Sequence, residues 1–245
     1  MAYLKIKNKK DSISNFLGPV ANLNDSCIIK INEDKIECIL ASADATIACK
    51  AVSNIETDIS GDNSLNIPDI KKLIRVLDII PEIEINLKLN NNSISYNDKG
   101  YKFKFHLLDD GIIKQPALNF SKIKQLDFDL NFTIKERDLN TLFKGSSFAT
   151  ETSKLYFYEE EGKIYGELGD RSRHNSDNFI STLSESYQGN ALKKPLPINF
   201  DSFRLLSFNN SNNIDFKINT DMGIIVVDIT KGETSLTYVI SALIN

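Results

Sequence analysis

Tryptophan is absent from this chain, and histidine occurs only twice and cysteine three times in 245 residues. A zinc site of the usual His/Cys composition therefore has few ligands to draw on. Cys27, Cys38 and Cys49 are odd in number and follow successive strands rather than a ligand spacing, so they read as buried, reduced thiols. There is no G-x-x-x-x-G-K-[ST] loop, no G-x-G-x-x-G turn, no H-E-x-x-H and no paired C-x-x-C, which removes the common nucleotide, zinc-protease and zinc-ribbon signatures. No apolar run approaches a membrane span, and the start, Met1 to Lys7, alternates like a strand without the apolar core of a signal peptide, so a cytosolic protein is expected. No metal, cofactor or catalytic group is expected.

Charge is also short of one sign. The formal net charge is −4, against the excess of Lys and Arg that a simple nucleic-acid binder needs for phosphate contacts. Net charge averages over faces, so the question is whether cations are segregated onto one of them. Hydrophobic residues at 41% and charged residues at 25% match a globular chain, not a disordered one.

What is present is a repeat. Residues 11–107 and roughly 133–241 each read as a short amphipathic helix, a run of strands, a second helix and three more strands. Leu65-Asn66-Ile67-Pro68-Asp69-Ile70-Lys71 aligns with Ile198-Asn199-Phe200-Asp201-Ser202-Phe203-Arg204, and Ile83-Glu84-Ile85-Asn86-Leu87 with Ile214-Asp215-Phe216-Lys217-Ile218. Two domains follow, residues 1–110 and 125–245. The segment 111–124, with Pro116 and little periodicity, connects them.

Local signals place the elements. Ser12 caps a helix bearing Ile13, Phe16 and Leu17, which Gly18-Pro19 ends; Thr133-Ile134-Lys135-Glu136 has the form of a capping box before Leu139, Leu142 and Phe143, with Gly145 as the stop. Hairpins are expected over 27–39 and 155–168, and further strands near 45–50, 54–59 and 178–184. The second helices are Pro68–Leu77 and Phe200–Phe208, followed by strands at 83–89, 93–97, 101–107, 214–219, 223–229 and 234–240. The fold class is α+β, two helices on antiparallel sheets in each half.

Candidate chemistry is sparse. The loop Asp170 to Asp177 holds Ser172, Ser176 and His174, yet a triad is defined by geometry, and a crowded polar turn is the better reading. His106 lies in a strand, and Glu159-Glu160-Glu161 and Asp109-Asp110 sit in turns. Cations, by contrast, cluster. On helix 68–77 the apolar residues Ile67, Ile70, Leu73, Ile74 and Leu77 leave Lys71, Lys72 and Arg75 on the opposite face. Lys135, Arg137 and Lys144 stand outside the apolar stripe of the helix at 134–144, diluted by Glu136 and Asp138. Arg204 is on the outer face of helix 200–208, and Lys9-Lys10 precede the first helix. For any one helix a solvated polar face is the other account; four repeat-related helices shift the balance.

With its duplicated helix-and-sheet order, its connector and its cationic helix faces, the chain resembles the DNA sliding clamps, in particular the small two-domain clamps of tailed phages. That resemblance implies a DNA clamp fold assembled into a homotrimeric ring, helices around the hole and sheets outside. It implies a processivity factor that encircles duplex DNA without sequence specificity, tethers a DNA polymerase and other replication proteins, and is opened by a separate ATP-dependent loader. If phage-encoded, it would act in the host cytoplasm. Carried onto this sequence, the DNA-facing residues are Lys71, Lys72, Arg75, Lys135, Arg137, Lys144 and Arg204, with Lys9 and Lys10 as further candidates. Subunits would join through the edge strands 101–107 and 178–183, represented by Phe103, Phe105, Phe179, Ile180 and Leu183. Ile112, Ile113, Leu118, Leu243 and Ile244 hold positions matching a partner-peptide pocket, with core packing as the other account of each. A duplicated β-rich structural or carbohydrate-binding protein is the alternative, and a hydrolase using His174 a third.

Overall fold

The computed structural model describes residues 2–32, 34–57, 63–150, 153–173, 175–209, 211 and 213–243. The chain divides into two units, one of residues 1–118 with Gly232–Leu236, the other of residues 119–231 with 237–245. The division falls between Leu118 and Asn119, inside the segment read as a connector.

Unit 1 opens with β1 (Ala2–Ile6), then three consecutive helical pieces: α1 (Lys9–Asp11), a π-helical turn (Ser12–Leu17) and α2 (Gly18–Leu23). Strands β2 (Cys27–Asn32), β3 (Lys35–Ala41), β4 (Ile47–Asn54), β5 (Glu56–Thr57) and β6 (Asn63–Ile67) lead to α3 (Ile70–Ile79). The unit closes with β7 (Ile85–Asn90), β8 (Ser93–Asp98) and β9 (Tyr101–His106). Two antiparallel arrays result, in the orders β5–β1–β7–β8–β9 and β4–β3–β2–β6.

Unit 2 begins with α4 (Phe120–Ile123), β10 (Leu130–Lys135) and α5 (Glu136–Gly145). Next come β11 (Lys154–Glu160), β12 (Lys163–Leu168), β13 (Phe179–Ser184), β14 (Gln188–Gly189), β15 (Leu196–Asn199) and α6 (Phe200–Phe203). The last strands are β16 (Asn213–Asn219), β17 (Ile224–Lys231) and β18 (Thr234–Ser241). Its arrays run β14–β10–β16–β17–β18 and β13–β12–β11–β15. Strand for strand, this is the order of unit 1, so the repeat in the sequence is a repeat of topology.

Four expectations need correction. The first helix begins earlier, because the Asn8 side chain, not Ser12, accepts from a first-turn amide, that of Asp11 at 3.2 Å. It also runs on through Gly18-Pro19. Proline lacks an N–H and its ring collides with the carbonyl four residues back; the helix widens instead, the Gly18 amide reaching Ile13 C=O in a π-type bond. Thr133 caps nothing. Leu130, Phe132 and Ile134 are buried in alternation, so the segment is a strand against β16, and the Thr133 hydroxyl donates to Asp215 at 2.7 Å. Helix α6 is one turn, not two, and its continuation turns inward because Phe203, Leu206 and Phe208 are all buried. Phe203 lies 6.0 Å from Phe157 and 5.3 Å from Phe208 between ring centroids, and packing within this aromatic cluster outweighs helix propensity.

Cys27, Cys38 and Cys49 are buried free thiols. Contact with Cys27 and burial push the Cys38 thiol up, and burial alone does so for Cys49, so both stay protonated and act as small apolar residues.

Two positions test the fold. Gly189 has φ +103°, and a Cβ there would lie 2.1 Å from the Asp129 carbonyl oxygen. Gly189→Ala should lower stability by about 2 kcal/mol or more, read as a fall in the urea midpoint at unchanged slope. Lys231 is buried at 3% exposure and donates to Ser207 Oγ at 2.9 Å. Burial lowers its pKa to about 8, against an opposing pull from Glu136. Below that value the fold carries a buried charge that the unfolded chain hydrates freely, and between about pH 8 and 10.5 the unfolded chain binds the extra proton, so stability rises with pH in that window. Lys231→Met should raise the urea midpoint at pH 7 and flatten the rise toward pH 10.

Candidate nucleic-acid interface

In unit 1 the cationic face belongs to α3. Asp69 caps it by accepting from the Lys72 amide at 2.7 Å, and Ile70, Leu73 and Leu77 are buried. Lys71, Lys72 and Arg75 are brought together on the exposed side, while Ile74 is half-buried at the flank. Lys71 is tied to Asp25 at 2.9 Å, an exposed pair that contributes little and that a phosphate could replace. Lys72 and Arg75 have no ion-pair partner among the described residues. Sequence periodicity did not reveal Asp25 as a neighbour, because the two residues lie far apart along the chain.

The preceding helical pieces contribute less. Lys10 is exposed, but Lys9 is buried at 4% exposure, and its ammonium donates to the Ile80 carbonyl while its amide donates to Ile83 C=O at 2.8 Å. Lys9 is thus a fastener between α1 and the end of α3, and leaves the set of candidates. Adjacent Lys residues on a helix point in different directions, which composition alone does not resolve.

In unit 2, α5 buries Leu139 and Leu142 and exposes Arg137, Thr141 and Lys144, with Lys135 exposed just before it. Arg137 Nε lies 3.2 Å from Asp138. Glu136 is half-buried and faces inward, where it accepts from the Ser211 amide at 3.3 Å, so it dilutes the positive face less than the sequence suggests. Arg204 stands past the end of α6 with its guanidinium 4.4 Å from the centre of the Phe200 ring, within reach of Asp201 and bonded to Ser146 Oγ beside Lys144. Lys144 and Arg204 therefore share one surface. Stacking and the two polar partners fix the Arg204 head, which leaves it placed rather than free to sweep.

A second site lies wholly in unit 1. Ile112 and Ile113 border a cavity of about 520 Å³ whose far walls are Cys27, Ile39, Leu40 and Pro68. Leu118 is exposed and outside it; the Leu243 amide donates to Pro197 C=O at 2.8 Å in unit 2, and Ile244 lies outside the described residues. The connector residues were legible, but the opposite wall was not. Its signal is confined to Ile28 and Ile39, two apolar residues half-buried on a face of β2 and β3 that otherwise carries Lys30, Asn32, Lys35 and Glu37.

On the edge strands, Phe103 is half-buried and stacked on Tyr96 at 6.1 Å, and Ile180 is 47% exposed. Phe105 and Leu183 are core residues of their own units at 5% and 2% exposure, because alternate residues of an edge strand still face inward. Phe179 packs against Gly145, where an added Cβ would fall 2.0 Å from its ring.

In the loop considered for hydrolysis, the described residues bond among themselves as a polar turn. Ser172 donates to Asp170 at 2.6 Å and holds that carboxyl below its usual range, an Asx turn in form, and His174 lies outside the described residues. Open aromatic platforms for a carbohydrate are missing from the tyrosine-bearing face of β11 and β12. Arg171 covers Tyr156 and Tyr158 at 5.3 and 5.0 Å, held there by Glu167.

No protein-family model matches the chain, and no curated protein sequence does. Solved structures do match over full length. The PCNA of A. fulgidus, solved with the C-terminal region of FEN-1 bound, superposes with a TM-score of 0.80 at 10% identity, covering 100% of this chain and 99% of that one. Proliferating Cellular Nuclear Antigen from Entamoeba histolytica gives 0.79 at 12% identity, with 99% of each chain covered. The PCNA2–PCNA3 complex of Sulfolobus tokodaii gives 0.73 at 13%, with 98% of each. At such identities the likeness resides in the backbone, and it runs the length of the chain: this chain has the fold of the PCNA-type DNA sliding clamps.

Proposed function

We propose that the chain is a sliding clamp, a ring of three copies that encircles duplex DNA and tethers a polymerase and other replication proteins to it. The observation that carries this reading is the combination of a full-length clamp fold with cations on the exposed faces of the helices at repeat-related places: Lys71, Lys72 and Arg75 on α3, Arg137 and Lys144 on α5, and Arg204 after α6. These side chains meet phosphates and read no bases, which suits movement along DNA, and linkage through a closed ring supplies the retention that a few screened contacts lack. A chain of net charge −4 is compatible with this because the requirement is local.

The ring is supported by unfinished edges. In unit 1, β4 is met along its outer side by the segment Gly232–Leu236, with Asn54 N–H donating to Glu233 C=O at 3.3 Å and the Ser53 and Thr234 hydroxyls 2.9 Å apart. Its counterpart in the repeat, β13, ends its array, and so does β9. Pairing β9 of one copy with β13 of the next would satisfy both, and a head-to-tail contact of that kind closes into a ring of three when each copy is rotated by a third of a turn from the last. Phe103, Phe179 and Ile180 would flank the junction, with Phe105 and Leu183 taking part through their backbone.

The cavity beside Ile112 and Ile113 is the place for a client peptide. Its apolar walls and its volume suit one or two inserted side chains. An ATP-dependent loader would be a separate protein.

Solution mass tests the assembly: three times 27.6 kDa is expected, and a monomer that persists at high concentration would refute the ring. Changing Lys71, Lys72 and Arg75 together to Glu should leave that mass intact and remove at least tenfold of polymerase stimulation on circular templates; undiminished stimulation would take α3 out of the channel. Ile113→Glu should cost a client peptide at least tenfold in affinity by calorimetry, about 1.4 kcal/mol, with the trimer unaffected.

A further inference from the structure

The solvent face of the β5–β1–β7–β8–β9 array carries a row of cations that none of these roles uses. Register places Tyr3 opposite Lys88, Lys88 opposite Ser95 and Ser95 opposite Lys104, one line across four strands. Lys102 lies opposite Asn97 and His106 opposite Ser93, on the same side of β9 as Lys104. The other side of these strands is core: Leu4, Leu87, Leu89, Ile94 and Phe105 are all buried. Lys102, Lys104 and His106 are exposed, Lys88 is half-buried and Tyr3 is 42% exposed.

Among the described residues, nothing nearby neutralises this row. Lys88, Lys102 and Lys104 have no ion-pair partner among the described residues. Glu56 and Glu84, toward the β5 edge, are taken by Lys5 and Lys7 at 2.7 to 3.3 Å. Asp98 falls on the opposite parity of β8 and accepts from its neighbour's amide. The fold does not demand such a face. On the corresponding array of unit 2, Asp215 and Asp228 stand opposite each other and Lys217 is bound to Asp228 at 3.0 Å, so the charge there is cancelled or reversed.

We propose that this face of unit 1 binds single-stranded nucleic acid. Strand neighbours lie about 4.8 Å apart and alternate residues about 6.8 Å apart, so the three lysines form a compact cationic triangle able to neutralise successive phosphates, with the Tyr3 ring at one end as a stacking surface for a base. An acidic protein segment is the competing occupant. Protein docking needs a buried apolar centre, and the positions between the lysines are Asn86, Ser95 and Asn97, with none available. Duplex DNA offers paired, stacked bases that a tyrosine on a flat sheet cannot reach, whereas a single strand exposes them. The site goes beyond the clamp reading and depends on unit 1 alone.

The test is a fluorescence-anisotropy titration of the full-length protein with a labelled oligo-dT of about 16 nucleotides, repeated over a range of salt. Changing Lys88, Lys102 and Lys104 together to Glu should weaken binding at least tenfold, and the Gln triple variant should reduce the slope of log affinity against log salt by about 2, three phosphates at about 0.7 each. Tyr3→Ala should weaken binding severalfold without changing the slope. The α3 triple variant serves as control and should retain this slope difference whether or not the protein is a ring, which separates failure here from failure of the clamp reading. Wild-type affinity in both lysine variants, their melting profiles being native, would overturn the proposal. So would capture of a polyglutamate peptide by the wild type with no oligonucleotide binding, which would assign the face to an acidic protein.

Discussion

A β-strand at the end of a sheet presents a row of amides and carbonyls that must find partners in water, in another strand or in another molecule. That constraint organises this protein. Each unit builds two antiparallel arrays from the same strand order, and each array leaves an edge. Unit 1 meets one of its edges with a segment borrowed from the far end of the chain, where Glu233 and Thr234 reach Asn54 and Ser53. What β4 receives in this way β13 lacks, although the repeat makes them equivalents. The duplication thus satisfies one copy of an edge and leaves the other at the end of its array, as β9 is at the end of its own.

Helix placement is the second consequence. With one face of each array committed to the core, the helices supply the cover, and their own outer faces are what remains to meet a ligand. The amphipathic stripe of α3 thus does two things at once: Ile70, Leu73 and Leu77 bind it to the sheet, and the same periodicity turns Lys71, Lys72 and Arg75 outward. Lys9 shows the limit of that logic. It is as cationic as its neighbour Lys10, yet its stem is buried and its head ends on a backbone carbonyl of Ile80, where it serves packing.

Strands and the repeat were legible in the sequence because period-two alternation survives with few exceptions, from Cys27 through Ile39 and from Ile214 through Ile240. Helix ends were not. Thr133 and Glu136 satisfy a capping pattern by composition, but Phe132 and Ile134 need the core more than a helix needs that cap, and the strand takes them. Gly18-Pro19 reads as a stop, and the π-helical turn over Ser12–Leu17 circumvents it. Arg204 was found as an outward residue, though its immobilisation over Phe200 depends on a helix that ends after one turn, which sequence pattern overestimated. The connector half of the cavity was visible in Ile112 and Ile113; the other half comes from residues such as Cys27, Ile39 and Leu40, which in the sequence read as ordinary strand positions.

Duplication and divergence then act on different levels of the same object. Topology matches strand for strand, so both units have the same edges and corresponding helix positions. Solvent faces differ between the two units, since a side chain pointing away from the core is not held to one chemistry by packing. Where unit 1 sets Lys88 and Lys104 in line with Tyr3, unit 2 sets Asp215 against Asp228 at equivalent depth in its array. This difference in charge between repeat-related faces has no structural necessity, because neither arrangement touches the core that each face covers.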